Sequence, residues 1–384
     1  MIDIKNKSKC CGCGACYNAC PANAITMKED EYGFKYPKID SARCTNCGLC
    51  ERVCPILKTT IQSKEVLKAY AAYMKNEEIR KQSSSGGIFT LLAEYIIKQN
   101  GVVFGAQFDE SYKVIHSDVD NIHDLGKFRG SKYVQSDILE SYKKVKKLLD
   151  ENRKVLFTGT PCQIEGLKSF LKREYENLYT QDIICHGVPS PLVWEKYKEF
   201  RKSIDGKSPV KIDFRNKDTG WKMFNMKFDY DKFSYFQNQR NDLFMQAFLK
   251  NTCLRDSCYS CAFKNENKVS DITLGDYWGI QNVHPEMDDD KGTSAIIINS
   301  SKGQELFEAI KQDLVWKETE YENIQKYNSA LVKSAQKDPN RKNFFKNLDK
   351  KPFDELVKKY TYNPSFSRKV INKLKYEFSK LAKK

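Results

Sequence analysis

Two runs of cysteine decide most of what this chain can fold into. The first, "CCGCGACYNACP", reads Cys10-x2-Cys13-x2-Cys16-x3-Cys20-Pro21, and the second, "CTNCGLCERVCP", repeats it as Cys44-x2-Cys47-x2-Cys50-x3-Cys54-Pro55. Three thiolates at two-residue intervals on a tight loop can reach one face of an iron–sulfur cubane, while the fourth, followed by proline, serves the other cluster. The doubled run therefore predicts two 4Fe–4S centres with exchanged ligands. Cys10, Cys13, Cys16 and Cys54 belong to one, and Cys44, Cys47, Cys50 and Cys20 to the other. Cys11 fits neither set and reads as a bystander. Zinc sites normally close with two Cys pairs or with Cys plus His, which four evenly spaced cysteines before a proline do not resemble.

The remaining length supports two or three domains, since the chain has 384 residues. Hydrophobic residues at 40% and charged residues at 30% describe a soluble globular protein. No apolar run approaches the roughly 20 residues of a membrane span, and the chain enters the cluster motif without a signal peptide. A cytoplasmic location is expected, where thiols stay reduced, so fourteen cysteines argue for metal over disulfides. The formal charge of +15 overstates the loaded protein, because a cubane core of about +2 on four thiolates carries about −2. The basic surplus is also uneven: residues 341–384 hold fourteen Lys/Arg against four Asp/Glu. With no nucleic-acid-binding motif, a nucleic-acid partner is not expected.

Along the chain, residues 1–60 read as a ferredoxin-type domain, with "AITMKEDEYGFKYPKID" supplying short strands and a turn, and the polar "KTTIQSKE" (58–65) as a linker. Strands and helices then alternate. "LKAYAAYMK", "VVFGAQF", "KVLFTG", "NLYTQDIIC", "DITLGDYW" and "TSAIIINS" read as strands. "GIFTLLAEYIIKQNG" reads as a helix with Ile88, Leu91, Leu92, Tyr95 and Ile96 on one face, stopped at Asn100-Gly101. "TPCQIEGLKSFLKR" opens a helix with Thr160 as N-cap and Pro161 at its first position. The expected fold class is α+β with an α/β-like body: a two-cluster ferredoxin domain (1–60), a mixed-sheet domain in two parts (66–150 and 151–317), and a basic helical C-terminal region (318–384).

Five cysteines lie outside the motifs: Cys162, Cys185, Cys253, Cys258 and Cys261. Two of them follow strands, whose carboxyl ends gather ligands in α/β sheets, and three crowd into "CLRDSCYSC". A CxxC pair plus the two strand-end cysteines makes a third 4Fe–4S site credible. A redox thiol at Cys162, beside a helix N-terminus, and plain burial are the alternatives. "SSSGG" (83–87) before a helix offers a phosphate site or a simple cap, and Lys132 in "GSKY" offers a phosphate or flavin contact or a solvated charge. His186 reads as a proton donor or a structural residue. Asp271 and Asp276 face a cofactor or cap turns.

Together "SSSGGIFTLLAEYI", "RGSKYVQS", "FTGTPCQIEGLKSFL", "DIICHGVPSP" and "CLRDSCYSCAFKNENKVSDITLGDYWGI", in that order, resemble the coenzyme F420 hydrogenase/dehydrogenase beta-subunit family, in its form with an N-terminal two-cluster ferredoxin domain. The resemblance covers roughly residues 1–300. It implies a flavoprotein oxidoreductase that passes electrons between a low-potential carrier and a two-electron partner, with ferredoxin or coenzyme F420 as redox partner. It implies FAD contacts at Ser84, Ser85, Gly86, Gly87 and Thr90 and on the Gly130, Ser131 and Lys132 loop. It also implies a flavin-proximal 4Fe–4S cluster on Cys162, Cys185, Cys258 and Cys261, with Cys253 competing for one of the four places. The wording is similar to a branch in anaerobic bacteria that often accompanies polysaccharide-biosynthesis enzymes, so an electron-transfer subunit serving such a partner enzyme is the alternative to an iron–sulfur flavoenzyme.

Past residue 300 the resemblance fades. "SRKVINKLKYEFSKLAKK" places Val370, Ile371, Leu374, Phe378 and Leu381 on one helical face and lysines on the other. Packing on the parent domain is the favoured expectation, ahead of an acidic ferredoxin partner or an anionic membrane surface.

Overall fold

This computed structural model describes residues 2–57, 68–266 and 268–361. The linker and the terminal basic helix expected from the sequence lie outside the described residues.

Each cysteine run carries its own backbone device. The glycine after the second cysteine, Gly14 or Gly48, adopts a left-handed conformation (φ 74° and 69°) and caps one turn of helix, α1 (Ala15–Ala19) or α2 (Leu49–Arg52). Glycine takes that conformation without a Cβ clash. Between the runs, β1 (Ile25–Glu29) and β2 (Lys35–Ile39) pair as an antiparallel hairpin. The Asp30 carboxylate closes its turn by accepting from the amides of Tyr32 and Phe34.

The body begins with β3 (Lys68–Met74), the short α3 (Glu77–Gln82), α4 (Ile88–Lys98), β4 (Val102–Phe108) and β5 (Val114–Val119). It continues through α5 (Ser141–Asp150), β6 (Val155–Gly159), α6 (Pro161–Leu171) and β7 (Leu178–Ile183). An insertion follows: α7 (Pro191–Asp205), the antiparallel strands β8 (Lys211–Asn216), β9 (Asn225–Asp229) and β10 (Ser234–Asn238), and α8 (Leu243–Leu249). The chain then returns through β11 (Ile272–Asp276), β12 (Ser294–Ile298) and β13 (Leu314–Thr319).

The main sheet runs β13-β3-β12-β11-β7-β6-β4-β5. Its four central strands, β11, β7, β6 and β4, are parallel, and the pairings toward both edges are antiparallel. Both faces are covered, as a parallel centre requires. Val103, Leu156 and Tyr179 pack toward α4 and the helix Ser301–Ile310. Val102, Phe104, Val155, Phe157 and Leu178 pack toward α5 and α6. The α4 helix buries Thr90 and Ala93 beside Ile88, Leu92 and Ile96, while Leu91 and Tyr95, expected on its core face, are only half-buried. A second, aromatic core joins α7, α8 and β8–β10, with Trp194, Tyr197, Phe214, Phe228 and Phe244 at its centre. Phe344, Phe353 and Leu356, from the helices Arg341–Lys346 and Phe353–Thr361, also pack into it.

The cysteine module docks tightly on this body. A Cβ on Gly33 would lie 2.3 Å from the Leu192 Cβ, and one on Gly166 would lie 2.8 Å from the Cys13 Cβ. Asn18 donates to the Leu139 carbonyl (2.9 Å). Arg255, 1% exposed, donates to the carbonyls of Cys10 (2.8 Å) and Lys35 (3.0 Å). The α+β class with an α/β-like centre is the architecture expected from the sequence.

Candidate iron–sulfur and cofactor site

All fourteen cysteines are free. Cys10, Cys13, Cys16 and Cys54 wall one small cavity, with Cys11 beside them. Cys20, Cys44, Cys47 and Cys50 wall another. The fold thus gathers the same sets that the spacing groups, and the exchange between runs follows from α1, which carries Cys16 to one cavity and Cys20 to the other. Burial, then the neighbouring Cys10 thiol, pushes Cys16 up to about 12, and burial also raises Cys54. Cys47 is the exposed corner, and the Leu49 amide lowers it. Buried thiols of this kind stay protonated near neutrality until a metal displaces the proton. Among the described residues, no three Cys, His, Asp or Glu converge closely enough to hold a single metal ion. A zinc ion needs every sulfur at ~2.3 Å from one centre, whereas a cubane spreads four thiolates over four irons.

A third cavity is walled by Cys162, Cys185, Cys258 and Cys261. Topology assembles it. Cys162 sits in the first turn of α6, whose start is fixed by a Thr160–Gln163 capping box with Pro161 at the first position. Cys185 follows the end of β7, and Cys258 and Cys261 lie on and just after the 3-10 turn Asp256–Ser260. The Val188 amide donates to the Cys258 sulfur (3.5 Å), and the Lys264 ammonium donates to the Cys185 and Ala330 carbonyls. Burial, opposed by Lys264 and reinforced by the Cys162 and Cys261 thiols, pushes Cys185 up to about 12. Cys253 stands apart. It is 0% exposed in the aromatic core, is absent from the walls of this cavity, and its carbonyl accepts from Ser190 (2.9 Å).

Beyond that cavity, at the carboxyl edge of the parallel strands, lies a cavity of about 570 Å³, in the size class of small-molecule and cofactor sites (~300–1,000 Å³). Gly159, Ile183 and Asp276 bring strand ends to its wall. Ser84, Ser85 and Gly87 line one side, and Gly130, Ser131 and Lys132 line the loop opposite. The hydroxyls of Ser84 and Ser131 meet at 2.8 Å. Gly86 and Thr90 stand behind the wall. A Cβ on Gly86 would lie 2.5 Å from the Ala72 carbonyl oxygen, and the buried Thr90 hydroxyl accepts from Arg129 (3.2 Å). The Lys132 ammonium is held by the carbonyls of Lys127, Arg129 and Gly130, and burial lowers it to about 7. It staples its own loop. A cradle of small residues on two facing loops, at a helix start and beside a broad cavity, fits a phosphate-bearing cofactor such as FAD.

Asp276 lines the cavity and pairs with the buried Arg215 (2.7 Å), which also stacks on Phe224 (4.0 Å). Asp271 lies at the other end of the strand, accepting from the Thr180 amide and hydroxyl and from Ser300. Its role is to tie β7, β11 and the start of the helix Ser301–Ile310 together. His186 borders both this cavity and the third cysteine cavity. Asn251 donates its amide to the Gln336 carbonyl, so its oxygen faces His186 Nε2 (2.6 Å) and accepts from it. His116 lines the wall, neutral, donating from Nε2 to the Thr158 carbonyl (3.0 Å), and burial lowers it to about 4.

Spacing did not reveal Arg255, which sits inside "CLRDSCYSC". It also donates to Gln135 (3.0 Å) and reaches toward the Cys10 sulfur (3.6 Å). Its only sequence signal is a charge among cysteines.

The sequence matches both profiles that describe the beta subunit of coenzyme F420 hydrogenase/dehydrogenase: its N-terminal part over residues 69–143 and its C-terminal part over residues 152–324. Residues 9–56 match a 4Fe-4S dicluster domain. The chain belongs to the coenzyme F420 hydrogenase/dehydrogenase beta-subunit family. It is an iron–sulfur oxidoreductase-family chain whose N-terminal module is built for electron transfer. Among curated proteins it is 25% identical, over 373 residues and 89% of its length, to the coenzyme F420-dependent sulfite reductase of Methanocaldococcus jannaschii. The match spans 52% of that relative, so the chain covers about half the relative's length. Among solved structures it is similar to a chain of the F420-reducing [NiFe] hydrogenase complex from Methanosarcina barkeri, at 16% identity and TM-score 0.49, covering 75% of this chain and 95% of that one. No described helix is long and apolar enough to cross a membrane.

Proposed function

We propose that this family member passes electrons along three 4Fe–4S clusters to or from FAD, with coenzyme F420 as the two-electron partner. The supporting observation is a series of shared walls. Cys11 and Ile56 border both the Cys10/Cys13/Cys16/Cys54 cavity and the Cys162/Cys185/Cys258/Cys261 cavity. Cys162, Cys185 and His186 border both the latter and the wide cavity. In this reading each cysteine set ligates one cluster, and the Ser84–Gly87 and Gly130–Lys132 loops hold FAD. A flavin exchanges single electrons on one side and pairs on the other. The chain's own residues supply the setting. The Val188 amide, donating to the Cys258 sulfur, sets a fixed dipole beside the inner cluster, and Arg215, anchored by Asp276, sets a fixed positive charge beside the cofactor cavity.

Anaerobic purification with reconstitution tests this. The expected content is about twelve irons, four per cubane, and one FAD per chain, and reduced F420 should bleach flavin and clusters together. Protein that retains no flavin overturns the FAD assignment. Bleaching by reduced ferredoxin with none by reduced F420 overturns the F420 assignment. The matched profiles describe a beta subunit, which supports a second reading of the last step, in which electrons pass to a partner enzyme. Turnover of an added acceptor by this chain alone decides for an enzyme; bleaching without turnover decides for an electron-transfer subunit.

A further inference from the structure

Cys11 is the one motif-region cysteine that the spacing leaves without a task, and the fold does not treat it as a bystander. It is buried and packs in one core with Cys13 and Cys162. It lines both neighbouring cysteine cavities, the one that Cys13 walls and the one that Cys162 walls. Each of those cavities already has four other cysteines on its wall, so iron binding does not need a fifth.

The backbone around Cys11 is locked in place. Gln135 donates to the Cys11 carbonyl (3.1 Å), Arg255 donates to Gln135 (3.0 Å), and Arg255 donates to the Cys10 carbonyl (2.8 Å). Gly12 must lack a side chain here: at φ +73° its Cβ would lie 2.8 Å from the Gln135 amide nitrogen and 2.9 Å from the Arg255 guanidinium carbon. These contacts hold a single sulfur between the ferredoxin module and the body.

We propose that Cys11 is a positioning residue for the electron step between the module's inner cluster and the third cluster, presenting its S–H to a ligand thiolate while ligating neither. The proposal rests on the three-cluster reading above. A cluster thiolate is an acceptor only, and a hydrogen bond to it favours the more negative, reduced cluster and so raises its potential. The Thr160 hydroxyl reaches the Cys162 sulfur at 3.1 Å, so Cys11 adds to an existing donor there and is the bridge toward Cys13.

Iron assay combined with an EPR-monitored redox titration of wild type, Cys11→Ala and Cys11→Ser tests it. All three proteins should hold about twelve irons. Cys11→Ala should lower the potential of at least one of the two clusters flanking the residue and slow their mutual equilibration several-fold, with the Cys20/Cys44/Cys47/Cys50 cluster unmoved. Cys11→Ser, which keeps a donor, should restore most of the potential. Loss of about four irons in Cys11→Ala would make Cys11 a ligand and overturn the proposal. Unchanged potentials and rates at full iron content would overturn it as well. Wild type with only about eight irons would remove the third cluster, and the relay with it. Twelve irons with an unresponsive variant would overturn the relay alone.

Discussion

In the N-terminal module, each cysteine cavity is drawn from two short loops within residues 10–54, and each loop carries the same glycine-led turn of helix. In the body, the inner cavity draws one cysteine from the start of α6, one from beyond β7 and two from a turn past the α7–α8 insertion. The first arrangement is encoded locally. The second exists only once parallel strands have set their carboxyl ends side by side, which is where such sheets place ligands. A local code carries little core of its own: the module's buried cluster is Ile2, Cys16 and Ile25 with a few partly buried partners, while the body holds several larger ones. The module should therefore depend on its metal for folding, and the body should not.

Metal removal is the hardest test of that contrast and should give the largest effect. Chelation under reducing conditions is expected to abolish hydrogen-exchange protection across residues 2–57 while the amides of β6 and β7 stay protected, because a module with so small a core takes its folding energy from the metal. Equal loss in both regions would break the comparison.

Ligand substitutions sharpen it. Cys258→Ser should remove about four irons and leave the module's clusters intact. Cys253→Ala should retain full iron, at a stability cost of about 1–2 kcal/mol for a small cavity in the aromatic core. Iron assay on the two variants separates a ligand from a core cysteine.

The seam between the regions comes next. Arg255→Gln leaves the Cys10 and Lys35 carbonyls without their donor. At ~1–3 kcal/mol for each buried group left unsatisfied, a loss of roughly 3 kcal/mol in denaturant stability is expected.

The smallest effect concerns the body alone. His116 stays neutral in the fold down to about pH 4, against 6.5 for its ordinary value. Between those values the unfolded chain binds the extra proton. Stability from this group is whole above pH 6.5 and is lost as pH falls toward 4, by up to about 3 kcal/mol. His116→Phe, which keeps a ring against Phe157, should flatten that slope, read as the difference in unfolding free energy between the two proteins at pH 7 and pH 4.5.

This contrast also explains what could be read in advance. The cysteine sets of the module, the strands around Val102–Phe108, Val155–Gly159 and Ser294–Ile298, and the Thr160 cap were legible because periodicity, spacing and capping chemistry act over a few residues. The separation of Cys253 from Cys258 and Cys261 was not, because it depends on the 3-10 turn that carries Cys258 and on the aromatic core that takes Cys253 in. The β8–β10 sheet was passed over although "NMKFD" alternates polar and apolar residues, since charged neighbours dilute its pattern. Lys132 read as a phosphate or flavin contact or a solvated charge, because only the folded loop shows three carbonyls closing on it. Cys11 read as idle because spacing describes ligands, not the gap between clusters.

The central claim is that the inner cysteine cavity links the module to the cofactor cavity. Rapid mixing of anaerobic, reconstituted Cys258→Ser protein with reduced F420 tests it most directly. The account predicts that the flavin bleaches while the absorbance of the two N-terminal clusters stays oxidised, whereas in wild type both fall together. Reduction of those clusters at the wild-type rate in the variant would contradict it.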